Sequence, residues 1–332
     1  MTSTAGSDAP DPPAPDAPEF IWVIAGPTAA GKTAVGIALA LRLGGEILSA
    51  DSRQVFRGMS VGTSKPTAAE QARAPHHLLD IADPLGHYTA ADFARDGRAV
   101  LADLARSGAA PVVVGGSGLY LRALIDGLFA GPGRDPALRA ALEARADLKG
   151  TGSLHAALAA VDPVSARRLH PNDRVRLIRA LEVHAQSGRP LSALAREAAP
   201  FSLRPRTRTW ILDRATADLD ARIAERCRRL FTEGILDEAA TLLAAGLTPA
   251  HPAYQTIGYR EAFAAVRGEM TLDAAVDGAI RSTRQFARRQ RSWFRAEPGA
   301  EWLEIAPTEP PEVTAERILS RSGRGLQPRK KP

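Results

Sequence analysis

The sequence predicts an α/β protein: a parallel sheet core flanked by helices and interrupted by an all-helical insertion. Three observations predict it. The first is a strand-turn-helix unit: the apolar run at 20–25 leads into Gly26-Pro27-Thr28-Ala29-Ala30-Gly31-Lys32-Thr33, and helical apolar spacing follows over 33–43. The turn matches the phosphate-loop pattern G-x-x-x-x-G-K-[ST] at every position, which makes the core P-loop NTPase-like. The second is the return of short apolar strands at 46–50, 110–114 and 208–212 among helical windows, a pattern of parallel strands with right-handed crossovers. The third is the loss of strand signal from about 131 to 200.

Taken in order, residues 1–18 read as a disordered leader, rich in Ala, Pro and Asp, with neither the basic residues nor the apolar segment of a targeting signal. Strand 20–25 aims the phosphate loop, where backbone N–H groups and a helix N-terminus suit a polyphosphate. Lys32 would meet phosphate charge, and the Thr33 hydroxyl would hold Mg²⁺. Strand 46–50 delivers Asp51-Ser52-Arg53-Gln54 to the same sheet edge. Strand 110–114 ends in Gly115-Gly116-Ser117-Gly118, a second glycine turn entering a helix. Helical windows at 136–146, 153–160, 162–169 and 173–187 fill the insertion, the last stopping at Gly188-Arg189-Pro190. Strand 208–212 returns to the core, and helices follow over 218–245, 259–266 and 272 to about 294. The organisation is thus a core over 19–130 and 201–319, an insertion over 131–200, and a basic tail over 320–332.

Composition narrows the classes. The chain of 332 residues has a net charge of +6 and one cysteine, Cys227, which excludes an internal disulfide and a cysteine zinc site. No apolar run approaches the ~18 residues that span a bilayer. A reduced, cytoplasmic protein with an anionic partner is expected.

The central strand at 110–114 ends in glycines where a motor ATPase would carry an aspartate, which favours a small-molecule kinase or another phosphate-handling transferase. Asp51 is placed as a general base or as a partner of Mg²⁺-bound water, the plain alternative being a turn aspartate. Ser117 could offer its hydroxyl to phosphate oxygens, unless its turn is purely structural. Residues 281–295 hold six arginines and no acid. Arg281, Arg284, Arg288, Arg291 and Arg295 recur every three or four residues, a cationic stripe that repels itself unless an anion balances it. A phosphate backbone is the favoured balance. His76-His77 are adjacent in a loop, with no further ligand at metal spacing, and read as no metal pair.

Together these segments resemble a family: bacterial tRNA dimethylallyltransferases, also called tRNA isopentenyltransferases (IPP transferases). The phosphate loop, SADSRQVF, GTSKPT (62–67), PHHLLDI (75–81), HYTAADF with Tyr88 and Phe93, GGSGLY, HPNDRVRLIRALEV (170–183), IGYREA (257–262) and TRQFARRQRSWFR (283–295) follow in order. The resemblance implies transfer of the dimethylallyl group from dimethylallyl diphosphate to N6 of the adenosine 3′ of the anticodon. The phosphate loop, Gly26 to Thr33, would then hold diphosphate, with Mg²⁺ on Thr33. It also implies Asp51 as base, Ser117 as donor to the bridging oxygen and Arg222 as a further diphosphate clamp. Contacts to the tRNA anticodon stem-loop are implied for Asp51, Ser52, Arg53, Gln54, Ser117, Arg139, Val175, Arg176, Leu177, Ile178, Arg179, Gln255, Thr256, Ile257, Gly258, Tyr259 and Arg260. The same holds for Arg288, Arg289, Gln290, Arg291, Ser292, Trp293, Phe294 and Arg295. The chain would act as a monomer, away from membranes. Two positions depart from the family: Phe56 stands where tyrosine is common, and Ser117 where threonine is usual. A P-loop kinase leaves the insertion and arginine helix unexplained. An enzyme for free adenine nucleotides would need no RNA platform, and a non-catalytic RNA module would not need Lys32, Thr33 and Asp51.

Overall fold

A computed structural model describes residues 18–129, 131–197 and 202–322. The leader expected over 1–18 and the tail over 320–332 therefore lie outside the described residues, apart from Pro18 and residues 320–322. The chain divides into two compact units, one built from segments up to Ile125 and from Leu203 onward, the other spanning Asp126–Ser202.

The first unit opens with β1 (Ile21–Ala25), α1 (Lys32–Leu43), β2 (Gly45–Ser49), α2 (Ala68–Arg73), β3 (His76–His77), α3 (Ala90–Ser107), β4 (Ala110–Gly115) and α4 (Gly118–Asp126). The helical unit then carries α5 (Pro136–Lys149), α6 (Gly152–Val161), α7 (Pro163–Arg168), α8 (Arg174–Ser187) and α9 (Leu191–Glu197). The first unit resumes with β5 (Thr207–Asp213), α10 (Thr216–Thr232), α11 (Ile235–Ala244), α12 (Tyr259–Val266), α13 (Leu272–Arg295), β6 (Glu301–Glu304) and α14 (Pro311–Arg321).

The six strands form one parallel sheet in the order β3-β2-β4-β1-β5-β6. β1 lies between β4 and β5, with Trp22 opposite Val112 and Arg208. Side chains alternate across a strand, so Ile21 and Val23 enter one core with Phe93, Leu124 and Phe263, while Trp22 and Ile24 enter the other with Leu39, Trp210 and Ile318. Burial on both faces explains why β1 reads as an unbroken apolar run. The carboxyl ends of β1, β2, β4 and β5 share one edge, where open α/β sheets bind ligands.

Several boundaries differ from the sequence pattern. The run expected over 218–245 is two helices, broken at Gly234, whose φ of 115° no helix interior accepts. His76 and His77 form a two-residue edge strand on β2, not a loop. The C-terminal tail begins later than 320, because α14 continues through Arg321.

In the helical unit, Leu154, Leu158, Leu177 and Ile178 form the core. Buried Asp162 accepts hydrogen bonds from the N–H and hydroxyl groups of Ser165 and Ser192, tying α7 to α9. Burial works against its charge, yet those four donors hold its pKa at about 2.

Candidate active site

The phosphate loop leaves β1 through Gly26 at φ 140°, where an added Cβ would sit 2.4 Å from the Leu212 carbonyl oxygen. Only glycine passes there. α10 then supports the loop from outside. Arg222 Nε donates to the Ala29 carbonyl at 3.0 Å, and Arg226 Nη1 donates to Thr28 Oγ1 at 3.2 Å. Arg214, just before α10, donates to the Ala30 carbonyl at 3.1 Å and pairs with Asp218 at 2.9 Å.

Lys32 Nζ donates to the Pro27 carbonyl at 2.8 Å. Burial pulls its pKa down to about 8, with Asp51 opposing the fall and Arg226 adding to it. Burial likewise lowers the guanidinium groups of Arg222 and Arg226. Among the described residues, none of Lys32, Arg222 and Arg226 forms an ion pair with a carboxylate, so their positive charge remains available to an anion.

The loop is also held from α13. The Thr28 N–H donates to Gln290 Oε1 at 2.8 Å, and Gln290 Nε2 donates to the Gly116 carbonyl at 2.9 Å. One buried amide thereby joins both glycine turns. Trp293, one turn further, lies so close to Gly118 that a Cβ there would fall 2.0 Å from its Nε1.

At the end of β2, Asp51 Oδ1 accepts from the N–H groups of Arg53 at 2.8 Å and Gln54 at 3.4 Å, a local turn that fixes the carboxylate. The Ser117 hydroxyl accepts from the Ser52 N–H at 2.9 Å and donates to Ser52 Oγ at 3.2 Å. Arg53 is anchored to the Pro252 carbonyl at 2.8 Å, and Gln54 donates to the Ser64 carbonyl at 3.1 Å. Phe56 is buried in the apolar core, so the ring serves packing alone.

Three cavities follow one another through this edge. The outer one, about 1,020 Å³, is lined by Lys32, Thr33, Arg222 and Arg226, by Lys65 and Arg229 with their partners Asp80 and Glu233, and by Glu70 and Glu225. A small inner one of about 90 Å³ touches Lys32, Thr33, Asp51, Ser64 and His76. The third, about 310 Å³, joins Asp51, Ser117 and Arg226 to an apolar wall of Ile223, Leu230, Phe231 and Phe286. Its rim carries Gln255, Thr256, Ile257, Gly258, Arg260 and Arg289. Buried Cys227, whose thiol burial pushes up, forms part of this wall.

The remaining residues singled out from the sequence divide into exposed and internal groups. Arg281, Arg288, Arg289, Ser292 and Arg295 are exposed on α13, whereas Gln290 and Phe294 are buried. The stripe is not uncompensated as expected: Arg284 lies 3.6 Å from Asp220, and Arg291 pairs with Asp213 at 2.7 Å. Arg291 also reaches Thr216 Oγ1 at 3.0 Å and the Arg214 carbonyl. Trp293 is half-buried with the Arg122 guanidinium 4.7 Å from its ring centre. Tyr259 is buried and its hydroxyl donates to Glu238. In the helical unit, Leu177 and Ile178 are core residues, Val175 and Arg176 are exposed, and Arg139 and Arg179 pair with buried Glu182 at 3.1 and 3.0 Å. Arg226 is absent from the sequence-derived set, although its spacing four residues after Arg222 places both on one helix face.

The IPP transferase family profile matches residues 54–297 of the chain. A tRNA dimethylallyltransferase of Anaeromyxobacter dehalogenans (strain 2CP-C) is 50% identical over 299 residues, covering 90% of this chain and 99% of that protein. Among solved structures, the tRNA isopentenylpyrophosphate transferase of Bacillus halodurans aligns with a TM-score of 0.67 at 35% identity, covering 92% of this chain and 95% of that one. A eukaryotic dimethylallyltransferase acting on tRNA aligns with a TM-score of 0.78 at 25% identity, covering 94% of this chain and 82% of that one.

Proposed function

The chain belongs to the IPP transferase family, and we propose that it moves the dimethylallyl group of dimethylallyl diphosphate onto N6 of the adenosine 3′ of the anticodon (position 37) in tRNA. The observation that carries this reading is a junction. Three cations without carboxylate partners among the described residues, Lys32, Arg222 and Arg226, lie at the phosphate loop, and Asp51 lines both the inner cavity and the one with an apolar wall.

In the reaction the N6 lone pair attacks the allylic carbon, the carbon–oxygen bond to diphosphate breaks, and the N6 proton passes to Asp51. Negative charge grows on the bridging oxygen. Lys32, Arg222 and Arg226 face that charge, Lys32 and Arg226 from a partly buried setting that strengthens such interactions and Arg222 from the exposed side. Ser117 supplies a hydroxyl to the same oxygen by turning from Ser52. The apolar wall shelters the cationic allyl carbon from water. The exposed face of α13 and the 255–260 rim receive the RNA, whose target base must leave its stack; a single-stranded anticodon loop permits this cheaply.

Mg²⁺ fits this site as a hydrated ion brought in with the diphosphate. Among the described residues no cluster of His, Cys, Asp or Glu could cage a metal, and Thr33 offers one hydroxyl beside Lys32. Few protein ligands and several waters are what Mg²⁺ on a phosphate group requires. When bound, it would add Lewis-acid stabilisation of the leaving group. We take the enzyme to act as a monomer in the cytoplasm; no described helix is long and apolar enough to cross a membrane.

The test is to incubate the purified protein with Mg²⁺, dimethylallyl diphosphate and unmodified anticodon stem-loop RNA, then weigh the RNA. A gain of one dimethylallyl unit, abolished when the target adenosine is replaced, is the expected result. No gain, with ATP consumed on a small acceptor, would instead return the site to a kinase.

A further inference from the structure

Among the polar side chains of the inner cavity, His76 and Ser64 each hold a buried atom with no hydrogen-bond partner among the described residues. His76 Nδ1 lies 2.8 Å from the Ala74 carbonyl oxygen, so that nitrogen carries the ring proton. Nε2 is therefore a lone pair, and it is buried with no partner among the described residues. Burial lowers the imidazole pKa, with the Ala74 bond and Glu70 opposing, which keeps the ring neutral near pH 7. Ser64 Oγ is likewise buried without a partner, and Ser64 lines both the inner and the outer cavity. Its backbone, at φ 49°, is held in the left-handed region, an uncommon state for serine.

A neutral imidazole nitrogen cannot receive a phosphate oxygen. It can take only a donor: water, a hydroxyl or an ammonium. The Lys32 ammonium donates to Pro27 and makes no hydrogen bond to His76 Nε2. The cavity of about 90 Å³ has room for several water molecules and borders Thr33. Water bound to a divalent ion is a stronger donor than bulk water, and each such water needs acceptors. β4 supplies none from a carboxylate, because it ends at Gly115 and Gly116 follows.

We infer that His76 Nε2 and Ser64 Oγ accept hydrogen bonds from the water shell of the divalent ion that accompanies diphosphate at Thr33. His76 is then a positioning residue for the metal, acting through water. This rests on the diphosphate and Mg²⁺ reading above.

The experiment is calorimetric titration of Mg²⁺ into the full chain saturated with inorganic diphosphate, for wild type, His76→Phe and Ser64→Ala. Loss of an outer-shell partner lowers metal affinity by about 10–100-fold. That loss is expected for His76→Phe, with a smaller fall for Ser64→Ala, while metal-free diphosphate affinity stays within about twofold of wild type. Unchanged Mg²⁺ affinity in a folded His76→Phe protein would overturn the inference, as would an equal loss of metal-free diphosphate affinity. Should His76→Phe fail to fold, Ser64→Ala decides, and unchanged affinity there overturns it. A wild-type protein that binds diphosphate yet takes up no Mg²⁺ would remove the metal reading as well, which separates the two failures.

Discussion

The helical unit and the phosphate loop's supports Arg222 and Arg226 treat arginine charge in opposite ways. In the helical unit, Arg139 and Arg179 close on the buried Glu182 carboxylate, Arg174 on Asp147 and Arg176 on Asp173. Among the described residues, Arg222 and Arg226 hold only a carbonyl and a hydroxyl of the phosphate loop and Lys32 only a carbonyl, whereas Arg214 beside them keeps Asp218. The first arrangement closes its charge internally. The second orients cations with neutral dipoles and leaves their charge unbalanced, at a cost in stability that a bound anion would reverse. A count of basic residues cannot tell these apart; the partners do.

The contrast can be broken at its sharpest point by Asp51→Asn, which keeps the local turn but removes the base. Single-turnover prenyl transfer should fall by about 10²–10⁴-fold, with RNA binding within a few-fold. An unchanged rate would show that the proton leaves by another route.

Next comes Glu182→Ala, which leaves two arginines facing an emptied pocket. Because both are partly exposed, the loss should sit near the low end for a broken buried pair, about 3 kcal/mol. All four tryptophans lie outside residues 126–202, so amide hydrogen exchange over that segment is the measurement to use. Protection there should drop while the sheet stays protected.

Lys32 sharpens the other side. Its pKa of about 8 in the free protein leaves the ammonium mostly protonated at pH 7 and increasingly neutral above pH 8, where bound diphosphate must restore the proton. Diphosphate affinity should therefore decline as pH rises through about 8, by up to tenfold per unit, with proton uptake measurable in buffers of different ionisation enthalpy. Lys32→Met should bind weakly and lose that slope. For stability the sign reverses: the unfolded chain binds this proton more tightly, so the group's penalty is relieved between about pH 8 and 10.5.

The smallest effect separates two neighbours on α13. Arg288→Ala should shift the salt slope of tRNA binding by about one and leave the melting temperature almost unchanged. Arg291→Ala should lower the melting temperature, because it removes the partner of Asp213.

Much of this fold is visible in the sequence because burial on both faces makes β1 and β4 nearly continuous apolar runs and leaves shorter buried apolar stretches in β2, at Ile47-Leu48, and β5, at Trp210-Ile211-Leu212. The edge strands are not. His76–His77 and Glu301–Glu304 are too short and too polar to carry a period, and only pairing with β2 and β5 makes them strands. The site divides similarly. Asp51, Ser117 and the phosphate loop announce themselves because backbone geometry demands particular residues in a row. Arg226, Ser64 and His76 do not, since their meaning arises from cavities that assemble across elements. The arginine helix shows the limit most clearly: spacing reveals the stripe, but only tertiary contact shows that Arg291 faces inward and Arg288 outward.

Gln290 lies between those two residues and bridges the Thr28 N–H to the Gly116 carbonyl. α13 is a rod of 24 residues, about 36 Å long at 1.5 Å per residue, so its exposed arginines and that amide share one continuous helix. Grip on the acceptor and grip on the leaving group are then two ends of one lever. An RNA that seats badly would loosen the anion's cradle in the same motion, which couples choosing the substrate to timing the departure.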